Sequence, residues 1–550
     1  MYSTGLNSTT SLVTPQRTDR HGILDQKPLI FNSFREHAKA SIRQVSRQTG
    51  LSKSSVHRLG QAMHRRNQHP ESWFWETEAG RRWLIRLVVA VLYHFGLKRG
   101  VGAETMSAFF ACLRLEQQVG CSPSSLRAVM EQLEPLILET TEGWEREGIA
   151  QGQIGPIVGS VDETFLQRMM VVFLDLVSGY VLLEEVATDR TYETWYERVT
   201  ARLEPLKTSV LYLVSDRAKA LIKLAETGLK CPSIPDLFHL LHELVKGYSL
   251  AIWRQLKTAR QGLSRAQAHL DKCQAERASK AQLESAQAAV AASEAEVTHW
   301  EAVRNTYRGH LEAISLQVHP WRLTDSTPQS AQEVEVQLAA EVDALQELLE
   351  SQGLAVKPKV LDKVRQQLAG LAAVIDVWWQ TVREDVHRQI TLTPRWTTWV
   401  EAHLLPLMYW QDQVSRARGR RRKAKLVQVL EAVQAAFEAH PLTAQLPPEV
   451  LAGWKAWAAE HVKTFQRASS AVEGRNGYLS QMHHNHRGLP KRRYQVWSAL
   501  HNFDCRASDG STPASRFFRR EFPDLFETVL SHIEELPRAR KRQSAIALSD

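Results

Sequence analysis

Strand-like patterning is confined to one short part of this 550-residue chain. Continuous apolar, valine-rich runs occur at "GPIVGSVDETF" (155–165), "RMMVVFLDLV" (168–177), "YVLLEEVA" (180–187) and "SVLYLVSD" (209–216). Runs of this length and composition read as buried strands. "SG" (178–179) supplies a tight turn, "TYETWYERVTARLEPL" (191–206) reads as a helix opened by a Thr cap, and "RAKALIKLAETGL" (217–229) as one closed by Gly228. The expectation is a three-strand meander, a helix, a strand and a helix. That α/β unit is the one sheet of an otherwise helical chain.

The remaining segments carry helical signals. Residues 1–30 are polar and predicted disordered. In "ASIRQVSRQTGLSKSSVHRLGQAMHRR" (40–66), Ile42 and Val45 mark one apolar helix face, Val56 and Leu59 a second, and Gly50 and Leu51 the corner between them. This is helix-turn-helix spacing, and it defines a DNA-binding domain over 31–70. Lys53, Ser54, His57 and Arg58 then face outward, with the chemistry to meet phosphates and base edges; the alternative is an αα-hairpin within a bundle. Residues 71–150 are predicted as an all-α linker domain. Between 241 and 462, Leu256, Leu263 and Leu270 recur every seven residues, and Leu283, Val290 and Val297 do so again. Leu270 and Leu283 stand thirteen apart instead of fourteen, so the two seams suit an antiparallel hairpin better than one long coiled coil. Further helical segments are expected at 463–525, and a basic tail at 526–550.

The net charge of +9 leans weakly towards a polyanionic partner. Local clusters say more: "RARGRRRKAK" (416–425) has seven basic residues in ten. Five scattered cysteines without a C-x-x-C pair imply neither a disulfide framework nor a zinc site, and suit a reducing cytoplasm. "MYSTGLNSTTSLVTPQRTDRHG" has no apolar core of the signal-peptide kind, and "WLIRLVVAVLYHFGL" (83–97) is too short and too charged to span a bilayer.

Asp162 ends the first predicted strand and Asp216 the fourth. An acid at the end of a buried strand is costly unless it is paired, hydrogen-bonded or bound to a metal. Two such acids on neighbouring strands repel each other and call for cations. Oxygen-only ligands favour Mg²⁺ or Mn²⁺. A third acid, Glu473 in "SSAVEGRNGYL" (469–479), completes a possible two-metal site, in which one ion activates a nucleophile and the other steadies the leaving oxygen. Ser470-x-x-Glu473 also has the form of a capping box; the two roles are compatible.

The order Asp162, Asp216, Glu473 on strand, strand and helix resembles the DDE triad of bacterial insertion-sequence transposases. The long separation of the last two acids resembles the subgroup with an all-α insertion at that point. "DLFH" (236–239) matches its [C/D]-x-x-H signature and "SAVEGRN" (470–476) its S-x-x-E-x-x-N helix motif. The segment 483–518 is similar to the tails of such enzymes. The resemblance covers roughly 155–520 and implies an RNase H-like core over 151–240 and 463–525, split by the insertion at 241–462. It further implies two Mg²⁺ (or Mn²⁺) ions held by Asp162, Asp216 and Glu473, cleavage and strand transfer at the terminal repeats of an element, double-stranded DNA as partner, and assembly as at least a homodimer in the bacterial cytoplasm.

His239 then orients the loop of the second Asp, touches a phosphate, or is a buried structural histidine. Ser470, Arg475 and Asn476 lie within a turn of Glu473, as phosphate contacts, as supports for a metal ligand, or as local helix caps. Arg487, Arg492 and Arg493, beside His483, His484 and His486, are expected along the DNA path. Glu163 points away from Asp162 by strand alternation, and Asp175 is expected to be an edge or turn acid. The tryptophans of the insertion are expected mostly in its core. Two rival readings are an RNase H-like nuclease that never joins strands and a transposase-derived DNA-binding protein that has lost catalysis.

Overall fold

The computed structural model describes residues 40–152, 154–166, 168–389, 393–485 and 491–539. The predicted disordered segment 1–30 and the basic positions 540–550 lie outside the described residues. The first helix pair is α1 (Ile42–Thr49) and α2 (Lys53–Arg66). Ser41 and Ser52 cap them by accepting backbone N–H groups of Gln44 and Ser55. Gly50 turns the chain between them at φ +71°, a left-handed conformation that glycine adopts without strain. Val45 and Val56 are fully buried between the helices, and Leu51 and Leu59 pack with Met63 and Trp73.

The linker segment is helical as expected: α3 (Glu78–Val91), continued by a π-helical turn, α4 (Ala103–Cys112) and the long α5 (Pro123–Gln151). The sheet follows, with β1 (Ile157–Leu166), β2 (Arg168–Asp175), β3 (Val181–Ala187), α6 (Tyr192–Leu203), β4 (Val210–Ser215) and α7 (Lys219–Lys223). With a fifth strand, β5 (Ser233–Pro235), its strand order is β3-β2-β1-β4-β5. The meander is antiparallel, whereas β4 pairs parallel to β1. The outermost β5 (Ser233–Pro235) was not anticipated: at three residues it is too short to carry a periodic signal. Gly159 is required where β1 passes between its neighbours, since a Cβ there would lie 2.8 Å from Phe173 and 2.9 Å from Leu213. At the opposite edge, Asn502 donates to the Val181 carbonyl and accepts from the Val181 N–H, at 2.9 and 2.8 Å, closing part of an exposed strand edge.

Asp236 caps α8 (Leu237–Ala275), which runs out and returns as α9 (Lys280–Gln317). Leu270, Cys273, Ala286 and Val290 form a separate small core near the tip, with Leu263 and Leu283 against it. The heptad seams therefore mark a hairpin, as the register break suggested. Then come α10 (Ala331–Ser351), α11 (Pro358–Gln389), α12 (Pro394–Trp399), α13 (Leu405–Arg416), α14 (Arg420–Ala439), α15 (Pro441–Gln445) and α16 (Pro448–Lys463). Trp378, Trp399 and Trp410 are buried in the principal core, Trp379 nearly so, and Trp396 is half-buried against it. The chain returns to the sheet with α17 (Ser470–Asn485), which packs on β1 and β2, and α18 (Lys491–Asp504), which packs on β3 and α5. The protein is thus predominantly helical around one small mixed sheet.

The end of the chain departs from the expected basic tail. After α19 (Pro513–Phe518), the helix α20 (Leu525–Ser531) buries Leu525, Phe526 and Val529. Glu527 pairs with Arg86 of α3, and the Pro537 carbonyl accepts the Gly120 N–H at 2.7 Å. The apolar spacing of 525–533, not the basic residues beyond it, decides the fate of this segment.

Candidate functional site

The outward face of α2 is laid out as its periodicity requires. Lys53, Ser54, His57 and Arg58 are all exposed while Val56, Gly60 and Met63 are buried. Among the described residues His57 is bonded only along its own helix, to Gln61 at 3.1 Å. No ion pair engages Lys53 or Arg58 among the described residues, so a cationic surface is presented at the N-terminal end of the second helix.

Asp162 is half-buried on β1. Its Oδ2 accepts from Asn476 Nδ2 at 2.7 Å and its Oδ1 from the Glu163 backbone N–H at 2.9 Å. Burial first, and then the charge of Glu473, push its carboxyl up to about 7. Glu473 and Asn476, three residues apart, share one face of α17, so this one helix brings both against the middle of β1, where Asp162 lies and not at the strand end expected of it. Glu473 Oε1 lies 3.5 Å from His239 Nε2, and His239 Nδ1 lies 2.6 Å from Asp236 Oδ2. The hydrogen bond to Asp236 is the leading reason that His239 is pushed up to about 9; the charges of Asp236, Asp162 and Glu473 add to it against the cost of burial.

Asp236 anchors this chain of contacts. Its side chain is fully buried, and burial alone would raise its pKa. Hydrogen bonds from His239, from the Ser469 hydroxyl and backbone N–H, and from the Phe238 N–H outweigh burial and hold it below its ordinary value. Strand β5, helix α8 and helix α17 are therefore tied together at Asp236, and His239 is aimed at Glu473.

Asp216 is placed differently. Ser160 and Val214 are register partners, which sets Asp162 and Asp216 two residues further along adjacent parallel strands. β4 ends at Ser215, however, and Arg217 has φ +63°. Asp216 is exposed and accepts from the Ala218 N–H at 2.9 Å. Its charge is felt by Glu163, which burial and then Asp216 push above the ordinary range. Strand alternation separates Glu163 from Asp162, as expected; it no longer governs Asp216, because the strand has ended. Among the described residues no group of three or more His, Cys, Asp or Glu side chains is gathered closely enough to hold a metal ion.

Several expected site residues are engaged elsewhere. Arg475 is buried and forms a bidentate pair with Glu184 of β3, at 2.5 and 2.8 Å, so its guanidinium is turned into the core and away from any phosphate. Arg493 is likewise buried, donating to Glu134 of α5 at 2.6 Å, and does not line a DNA path. Arg492 is exposed, whereas Arg487 and His486 lie outside the described residues. Ser470 is exposed inside the first turn of α17 and does not form the expected cap; the Glu473 N–H bonds to the Ser469 carbonyl instead, at 3.1 Å. Asp175 is a turn acid, as expected, accepting from Val158, Val177 and both groups of Ser178.

Two family models match parts of the chain. Residues 29–67 match the IclR helix-turn-helix domain, and residues 400–545 match a family of unknown function, DUF6399. Comparison with curated proteins finds no match. The first match supports DNA binding by α1 and α2, the pair whose exposed face was just described. The second spans the last insertion helices, Glu473 and α18, and assigns no activity. No helix among the described residues is long and apolar enough to cross a membrane.

Sequence reasoning missed Ser469, Glu184 and Glu134. Ser469 stands one residue before the capping motif that drew attention to Ser470, and nothing local distinguishes the two. Glu184 breaks the apolar run of β3, and an acid in a buried strand is itself a signal that a cation must meet it.

Proposed function

We propose that the chain is a DNA transposase: a helix-turn-helix protein that binds the ends of its own element and cleaves and joins DNA strands at a metal-dependent carboxylate site. One observation carries this reading. Helix α17, more than 250 residues beyond β1 in sequence, returns to place Glu473 and Asn476 beside Asp162. The predicted meander, helix, strand and helix are all present in one sheet with β1 central between β2 and β4, which supports the RNase H-like interpretation of this core.

The donor chemistry suits a hard divalent cation, although among the described residues the three acids are not gathered into one cluster. Asp162, Asp216 and Glu473 offer oxygen alone; burial first, and then the charge of Glu473, raise the proton affinity of Asp162. Two Mg²⁺ or Mn²⁺ ions bound there would supply Lewis-acid stabilisation for in-line displacement at a phosphodiester. The chain's own groups prepare the place. Asn476 fixes one oxygen of Asp162, and Asp236 with Ser469 fixes His239, which in turn faces Glu473. Asp216, exposed just after β4, would have to swing towards Asp162 to complete the set. Double-stranded DNA is the partner this reading requires, as paired element ends held by at least two copies of the chain.

A second reading, a DNA-binding protein without catalysis, draws on the outward placement of Asp216 and on its proximity to Glu163. A third is a nuclease that never joins strands. Incubating the full chain with Mg²⁺ and with both intact and pre-nicked DNA from the ends of its element separates the three. Nicking plus joining, both lost in Asp162→Asn, is the expected result. Nicking alone identifies the nuclease; tight binding without nicking identifies the non-catalytic protein.

A further inference from the structure

The basic run at 416–425 and the cationic cluster beside it have no part in the proposed reaction. Helix α14 begins after Gly419 with no side chain capping its first turn and no acid in it; Arg420, Arg421 and Arg422 occupy that turn instead. The unsatisfied N–H groups of such a turn already carry the positive end of the helix dipole. Arg467 is 9% exposed and donates to the Val318 carbonyl, and among the described residues it has no carboxylate partner. His319, next in the chain, is wholly buried: Nδ1 pairs with the Tyr409 hydroxyl, and Nε2 has no partner. Arg422 Nε is also buried without a partner.

These groups sense one another. Burial, and then the charges of Arg467 and Arg422, push His319 well below its ordinary range. Burial, with Arg422 repelling it, pushes Arg467 down to about 10. The acids nearby are committed: Asp412 to Arg416 at 3.0 Å, and Glu312 to Lys425 at 2.9 Å. Two arginines that repel each other beside a neutral buried imidazole, with donors short of acceptors, lack a negative component.

We propose that Arg422, Arg467, His319 and the backbone N–H groups of the first turn of α14 form a binding site for a phosphate group. A tetrahedral oxyanion accepts from several converging donors at once, and helix N-termini with arginine forks are suited to it. The group is either a phosphodiester of the DNA backbone or free phosphate. The first source has a structural attraction: the Arg467 carbonyl accepts the Leu237 N–H at 3.0 Å, and Ser469, two residues on, holds Asp236. A phosphate bound at Arg467 is thus coupled through a few residues to His239. The site does not depend on catalysis by the carboxylates.

The test uses the full chain with inorganic phosphate as probe, against sodium chloride at matched ionic strength. Thermal melting and duplex-DNA affinity are measured for wild type, Arg422→Ala, Arg467→Gln and, as a control, Arg421→Ala, whose side chain faces Glu312. Phosphate is expected to raise the wild-type melting temperature by several degrees over chloride. That shift disappears in Arg422→Ala and Arg467→Gln and persists in the control. Weaker DNA binding by Arg422→Ala, with a salt slope reduced by about one and competition by phosphate, identifies the DNA backbone as the source. Unchanged DNA binding with a lost phosphate shift identifies free phosphate. A shift that survives both substitutions, or no shift in wild type together with unaltered DNA binding by Arg422→Ala, overturns the site. Neither readout involves cleavage, so failure here is separable from failure of the proposed reaction.

Discussion

Helix α2 and the helix pair α17–α18 are both rich in basic residues, and the protein uses them in opposite ways. On α2, Lys53, His57 and Arg58 stay exposed because their face meets nothing else among the described residues. On α17 and α18, Arg475 and Arg493 are turned inward to Glu184 and Glu134, and their side chains are 4% and 10% exposed. The residue types are the same. What differs is whether a buried acid waits on the element against which the helix packs. A basic segment therefore reads as a nucleic-acid surface only after its internal partners have been counted.

The comparison is broken most severely at the buried pair. Glu184→Gln leaves the Arg475 guanidinium without its bidentate acceptor inside the sheet layer, and a loss of about 3–5 kcal/mol is expected in chemical denaturation. A loss under about 1 kcal/mol would mean that this pair is not the anchor of α17. On the other side of the comparison, Lys53→Ala with Arg58→Ala should weaken DNA binding roughly tenfold or more, corresponding to about 1–3 kcal/mol. The melting temperature should hardly move, because neither side chain packs. Anisotropy titrations paired with melts test both halves of that statement.

His501 sharpens the same contrast through pH. Its Nε2 donates to the Gly179 carbonyl at 2.9 Å, and burial, with Arg475 next, pushes it down to about 4. Its neutral form is the folded one, so its contribution is complete above the ordinary histidine pKa near 6.5 and is lost as pH falls from there through about 4. Melting temperatures recorded from pH 7 to pH 4 should fall more steeply in wild type than in His501→Gln. The smallest effect is expected at Arg492, which is exposed on α18: replacement by Ala should leave stability unchanged and lower DNA affinity only a few-fold, with a shallower salt dependence. No change in affinity would remove α18 from the DNA path altogether.

Much of the architecture was legible in the residues. The valine-rich runs found β1 to β4, Thr191 was recognised as the cap of α6, and the break between the Leu270 and Leu283 seams gave the hairpin. The helix-turn-helix was readable because its apolar face, its Gly50 corner and its polar face coincide. β5 was too short to announce itself, and α20 was hidden behind the basic residues that follow it. At the site, Asp162, Glu473, His239 and Asn476, each picked out by a sequence motif, lie close together in the structure although they span more than 300 residues. Arg475 was misjudged because spacing along a helix gives proximity in sequence but not the direction in which a long side chain leaves. Asp216 shows the converse limit: alternation predicts a face only while the strand lasts.

The central claim is that Glu473 does chemistry with Asp162 and is more than the end of a helix. The most direct measurement follows both strands of an element end labelled separately, with Mg²⁺ or with EDTA, for wild type and Glu473→Gln. DNA binding is measured on the same preparations. Wild type is expected to release a 3′-OH in a Mg²⁺-dependent step and join it to target DNA, and the variant to do neither at equal DNA affinity. Cleavage and joining that persist unchanged in Glu473→Gln would contradict it.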